Sequence, residues 1–172
     1  MPVVLDATPG GPNANSFATV EWADAYFSGR LYGEFWDDVE LDTKNRALIT
    51  ATRLIVEAMN RIGWQGHLVS SSQRLPVPRT GMVTAEGYVI VAFPDSLANA
   101  TAEYAGRLIE AERLPDAASD TEGMKSFEAG PVAVEWFEGG APPSTDLPDA
   151  IMAMIAYLGV RTNRMTVPLV RS

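Results

Sequence analysis

The 172-residue chain has no cysteine and a single histidine, His67. Without thiols, disulfides and thiolate metal sites are excluded, and one imidazole leaves only carboxylate-rich metal sites open. Long hydrophobic runs are missing too: no apolar stretch approaches the roughly 20 residues that a membrane-spanning helix needs. The start, Met1-Pro2-Val3-Val4-Leu5-Asp6, lacks the basic residues and long apolar segment of a signal peptide, so the expectation is a protein made in the cytoplasm. Positive charge is scarce. With 13 Lys and Arg against 22 Asp and Glu the net charge is −9. General affinity for nucleic acid is disfavoured, because the phosphate interaction would be repulsive over most of the surface.

What is present is the composition of an ordinary soluble globule, 47% apolar and 20% charged. At this length one domain suffices, able to bury roughly 70% of its unfolded surface. The charges are unevenly spread: acids crowd residues 34–42 and 110–138, whereas the stretch after Asp149 carries Arg161, Arg164 and Arg171 and no acid. That makes residues 160–172 a candidate docking tail.

The chain is organised around residues 44–81. Ala47, Leu48, Ala51, Leu54, Ile55, Ala58, Met59 and Ile62 recur at steps of three and four, which predicts a helix with one buried stripe. Asp42 or Thr43 would cap its start, and Gly63 stands where a left-handed residue ends a helix. The loop that follows pairs Trp64-Gln65-Gly66 with Leu75-Pro76-Val77-Pro78-Arg79. Two prolines that fix their own dihedrals and a large ring to bury predict a held loop, anchored by Trp64, Gln65, Gly66, Pro78 and Arg79.

Elsewhere, residues 1–15 show no sustained period and are expected to form an arm that orders against a neighbour. A first helix starts at Thr19, capped by its hydroxyl, and turns Val20, Ala23, Phe27 and Leu31 inward. Residues 32–41 form an acidic linker that tucks Phe35 and Trp36 against the first two helices. A small hairpin is predicted over 82–93 around Ala85-Glu86-Gly87, and Pro94 opens a third helix with Leu97, Ala100, Thr101, Tyr104, Ala105, Leu108 and Ala111 buried. Residues 125–137 alternate as a strand, broken or bent at Gly130-Pro131. A fourth helix from about Asp146 carries Leu147, Ile151, Met154, Ile155 and Leu158. The fold class is therefore mainly α: a four-helix domain over 16–159 with a small β-hairpin or strand element and extended arms at both ends.

Chemistry is sparse. His67 lies near Ser70, Ser71 and Ser72 without a nucleophile-elbow pattern, and a solvated loop histidine is the favoured reading. Neither Gly10-Gly11 nor Gly139-Gly140 matches a phosphate cradle. Arg53, Arg61, Arg74 and Arg79 with Trp64 could form a basic, aromatic surface for single-stranded nucleic acid. The competing reading, favoured on burial grounds, has Trp64 in the core and Arg79 tying the loop down by hydrogen bonds to carbonyls or a carboxylate.

Five segments in order carry a resemblance: Ser16-Phe17-Ala18-Thr19-Val20-Glu21-Trp22-Ala23-Asp24-Ala25-Tyr26-Phe27, Ala47-Leu48-Ile49-Thr50-Ala51-Thr52-Arg53, the Trp64 to Arg79 loop, the helix after Phe93-Pro94-Asp95, and Gly130-Pro131-Val132-Ala133-Val134-Glu135-Trp136. Together they resemble the tailed-phage head–tail connector (adaptor) family, often labelled DnaT-like single-stranded DNA-binding protein. The resemblance implies a non-enzymatic virion protein of the neck, without cofactor, that forms a ring below the portal. Its partners would be copies of itself, roughly twelve if the ring follows portal symmetry, the portal protein, a downstream neck or tail protein, and genomic double-stranded DNA in the lumen. On that reading Lys125, Phe127, Val132, Val134 and Trp136, with the loop over 81–93, serve subunit contacts or the lumen, and Arg161, Arg164 and Arg171 dock on the portal. The alternative is the single-stranded DNA-binding replication accessory that the label names.

Overall fold

The computed structural model describes residues 3–113, 127–129, 132–134 and 147–160, and only the backbone of 112–113, 127–129 and 132–134. About these residues the expected architecture holds: four α-helices and small antiparallel β pairs. Helix α1 (Val20–Ser28) begins where the Thr19 hydroxyl accepts the Trp22 N–H at 3.1 Å, leaving Ala23 and Phe27 buried. Leu31, expected inside, is 83% exposed. The helix ends at Ser28, so its period does not extend to residue 31. A 3-10 turn (Gly33–Trp36) then folds back under α1, and Gly33 is required there, since a Cβ would lie 2.0 Å from the Phe27 carbonyl oxygen.

Helix α2 (Leu41–Ile62) starts before the expected caps, following Glu40 in an extended conformation. Asp42 lies inside the first turn, and its Oδ1 accepts the Val3 N–H at 3.0 Å. A tertiary partner has taken the carboxylate that local spacing assigned to a cap. Ala47, Leu48, Ala51, Ile55, Ala58 and Met59 are buried as the stripe predicts, whereas Ile62 at the rim is exposed. Gly63 has φ +89°, and its N–H reaches the Met59 carbonyl at 2.8 Å.

Helix α3 (Asp95–Arg113) packs against α2, α1 and helix α4 (Asp149–Ile155). Contact on three sides explains why Ala98, Ala102 and Ile109 are buried beyond the expected face, while Ala111 lies outside. A 3-10 turn (Ala156–Leu158) follows α4 and adds Leu158 to Leu147, Ile151 and Ile155 in the core. The interior has two lobes. One gathers Ile55, Met59, Val77, Met82, Leu97, Ile151 and Ile155; the other centres on Phe27, Trp36, Leu48 and Ala98, Ala102 and Ala105 of α3.

The N-terminal stretch does not wait for a neighbour. Besides the Val3 contact, Asn45 Nδ2 donates to the Val3 carbonyl at 3.3 Å, and Asp6 and Asn15 clasp each other through an Asp6 N–H to Asn15 Oδ1 bond of 2.8 Å. Ser16, Phe17 and Ala18 are buried. Strand β1 (His67–Leu68) pairs antiparallel with β2 (Arg79–Thr80), and β3 (Phe127–Ala129) with β4 (Val132–Val134) in the register Phe127↔Val134. Of the strand read over 125–137, the described residues form two paired arms, 127–129 and 132–134, and the rest lies outside the described residues. The hairpin over 82–93 reduces to one bridge, Val83↔Val89, closed by Gly87 at φ +89°. No helix among the described residues is long and apolar enough to cross a membrane.

Candidate nucleic-acid interface

The held loop is a knot tied by backbone carbonyls. Arg79 Nε donates to the Gln65 carbonyl at 2.6 Å, Nη2 to Gly66 at 2.7 Å and Nη1 to Pro76 at 3.2 Å. Burial pulls its pKa below the ordinary arginine value. Gln65 ties the other side: its N–H bonds the Leu158 carbonyl at 2.9 Å, Nε2 bonds the Tyr157 carbonyl at 2.8 Å, and Oε1 accepts from Val83 at 3.2 Å. Pro78 is buried behind a cis Val77-Pro78 bond, and Gly66, at φ +66°, has the Thr80 carbonyl oxygen 2.2 Å from where a Cβ would stand. Trp64 is half-buried against the core with its N–H on Asn60 Oδ1 at 2.8 Å.

This arrangement takes Arg79 and the Trp64 ring out of the basic, aromatic surface considered for Arg53, Arg61, Arg74, Arg79 and Trp64: Arg79 is spent on carbonyls, and the ring packs inward. Among the described residues no hydrogen bond joins His67 to Ser70, Ser71 or Ser72; the Ser70 hydroxyl is engaged with that of Ser72 at 2.8 Å. Among the described residues no group of three or more His, Asp and Glu could hold a metal ion.

A different cationic site emerges between α1 and α3. Glu103 receives Arg107 on Oε1, at 3.1 Å from Nη2, and on Oε2 both Arg30, at 3.3 Å, and the Tyr26 hydroxyl, at 3.0 Å. Arg30 also lies 4.4 Å from the centroid of the Tyr26 ring. The side chains of Arg30 and Arg107 are 48% and 40% exposed, whereas that of Glu103 between them is 21% exposed. They border an open cleft of about 270 Å³ that Phe27, Phe35 and Gly106 also line, with Tyr32 and Glu110 at its sides. Tyr32 is 81% exposed, a ring left uncovered on the same cleft as the two arginines. Side by side, these groups offer one flat apolar face and two anion-seeking donors.

Sequence reasoning missed this cleft because Arg30 and Glu103 are 73 positions apart and Arg30 reads as a helix-end residue. The one local signal was Leu31-Tyr32, two large side chains in a polar linker, both left in solvent. Of the other sequence-derived site residues, Arg161, Arg164, Arg171, Lys125 and Trp136 lie outside the described residues, as do the side chains of Phe127, Val132 and Val134. No curated protein and no solved structure matches the chain. A family model, however, matches residues 1–172 in full, and the chain belongs to the family described as "Putative DnaT-like ssDNA binding protein".

Proposed function

We propose that this chain contacts single-stranded DNA through the cleft of Arg30, Arg107 and Tyr32, as a binding protein without catalysis. The observation that carries the reading is the exposed Tyr32 ring beside two guanidinium groups, since single strands are held by stacking bases on aromatics over cations. The family description supports it. The charge of −9 limits it: the two cations share the cleft with the carboxylates of Glu103 and Glu110, so affinity per copy is modest and strongly salt-dependent.

Fluorescence anisotropy with a labelled oligothymidylate tests the reading. Binding at low salt should weaken with a log–log slope of about −1.4, the value for two phosphate contacts on a single strand. Arg30→Ala with Arg107→Ala should abolish it, and Tyr32→Ala should weaken it at least fivefold. No binding at low salt, or equal binding by the double variant, overturns the proposal.

A second reading, the ring-forming head–tail connector, is favoured by the same acidic excess. A negatively charged lumen lets duplex DNA slide where a basic one would hold it. Under that reading the protein ignores oligothymidylate, and electron microscopy of protein mixed with portal shows rings.

A further inference from the structure

The two limbs on either side of the 84–87 turn, 82–83 and 88–92, have one face in the core and the other in water, yet both are apolar. Met82 and Ile90 are buried, at 0% and 9% exposure, while Val83, Val89 and Val91 on the opposite face are 43%, 81% and 66% exposed. Tyr88, at the tip, is 73% exposed. Extended segments that are apolar on both faces are ordinarily covered on both. The backbone repeats the message. The Ile90 N–H bonds Met82, the Tyr88 carbonyl accepts from Thr84, and the Ala92 carbonyl accepts from Arg79, so every internal bond uses residues 88, 90 and 92. Among the described residues the N–H and C=O groups of Val89 and Val91 have no partner and form a free edge. The limb Tyr88-Val89-Ile90-Val91-Ala92 contains neither charge nor proline, the usual protections of such an edge.

We propose that this edge pairs with the same edge of a second copy, antiparallel and about a two-fold axis at Ile90. Val89 of each protomer then exchanges both backbone bonds with Val91 of the other, giving four hydrogen bonds and a continuous sheet across the dimer. Antiparallel pairing of identical strands is self-complementary, so nothing else is required of the partner. The pairing sets the exposed Val89 and Val91 of one copy against Val91 and Val89 of the other, on one face of the joined sheet. An edge this short makes a contact at the small end of specific interfaces, so the dimer is weak, forming in the micromolar range.

Sedimentation velocity of the full chain without DNA, from low to high micromolar concentration, tests the proposal. The native protein should pass from monomer to dimer. Val89→Lys, at a position 81% exposed, should keep the native melting temperature and weaken dimerisation at least tenfold. A native protein that stays monomeric throughout, dimerisation that Val89→Lys leaves unchanged, or direct assembly into rings overturns it. This interface is independent of the Arg30 cleft, so loss of dimerisation and loss of DNA binding are separable results.

Discussion

The guanidinium of Arg79 donates to the carbonyl oxygen of Gly66 at 2.7 Å, across thirteen residues of loop. Together with its bonds to Gln65 and Pro76 it makes one side chain the fastening of the whole 64–81 segment. Lysine carries its donors at one point and cannot span three carbonyls. Arg79→Lys should therefore cost about 2 kcal/mol, a fall of roughly 4–8 °C in melting temperature. An unchanged thermal melt would show that the carbonyls find other partners.

Two left-handed glycines should respond differently to alanine. At Gly66, with φ +66°, a Cβ would meet the Thr80 carbonyl oxygen at 2.2 Å, so β1 and β2 would have to separate. At Gly87, with φ +89°, nothing lies within 4 Å, and only the backbone penalty of about 1–2 kcal/mol remains. Denaturant unfolding should rank Gly66→Ala well below Gly87→Ala. Equal losses would count against the close approach.

Asp24 holds two buried partners from one oxygen. Its Oδ1 accepts the Trp36 indole N–H at 2.7 Å and lies 2.9 Å from Lys44 Nζ, itself 5.2 Å from the Trp36 ring centroid. Lys44 is 8% exposed, so Asp24→Ala leaves a near-buried ammonium without its counter-ion. Because half of Asp24 faces water, the expected loss is about 1–3 kcal/mol. Asp24→Asn should lose less, as the indole bond survives; equal losses for the two variants would rule out that division.

The clasp between Val3 and Asp42 should be sensitive to acid. The Val3 backbone N–H, aided by Arg46 at 2.7 Å, holds the Asp42 carboxyl below its ordinary value of 3.8 despite some desolvation. A lowered folded pKa means that the contact stabilises fully above the unfolded value and is lost as pH falls through the folded one. The Val3 amide resonance should accordingly titrate below pH 3.8. Asp42→Asn should flatten that titration, and a Val3 shift that persists in the variant would point to another acid.

The helices were readable because each is a local pattern. The α2 stripe, the Thr19 cap and the Gly63 stop depend on residues within one or two turns of each other, and helical geometry fixes what they do. The competing roles of Arg79 could be set side by side from its prolines and glycines. Choosing the carbonyl-binding role required knowing that Gln65 and Gly66 lie against it.

Local pattern failed wherever a distant partner took a residue. Local spacing offers Asp42 or Thr43 as a cap, whereas Asp42 serves Val3; the period of α1 points Leu31 inward, whereas the helix ends at Ser28. The Arg30–Glu103–Arg107 group was invisible, since sequence spacing carries no information about which helices lie side by side.

Sequence by itself determined the mainly α class, the number and order of the four helices, the absence of thiol chemistry and the acidic balance, all of which follow from composition and short-range period. Only the tertiary structure decided which arginines are spent internally, which remain in solvent beside Tyr32, and which apolar limb is left with an open edge. Those outcomes depend on long-range packing, where burial and hydrogen-bond competition among residues far apart in the chain choose each side chain's partner.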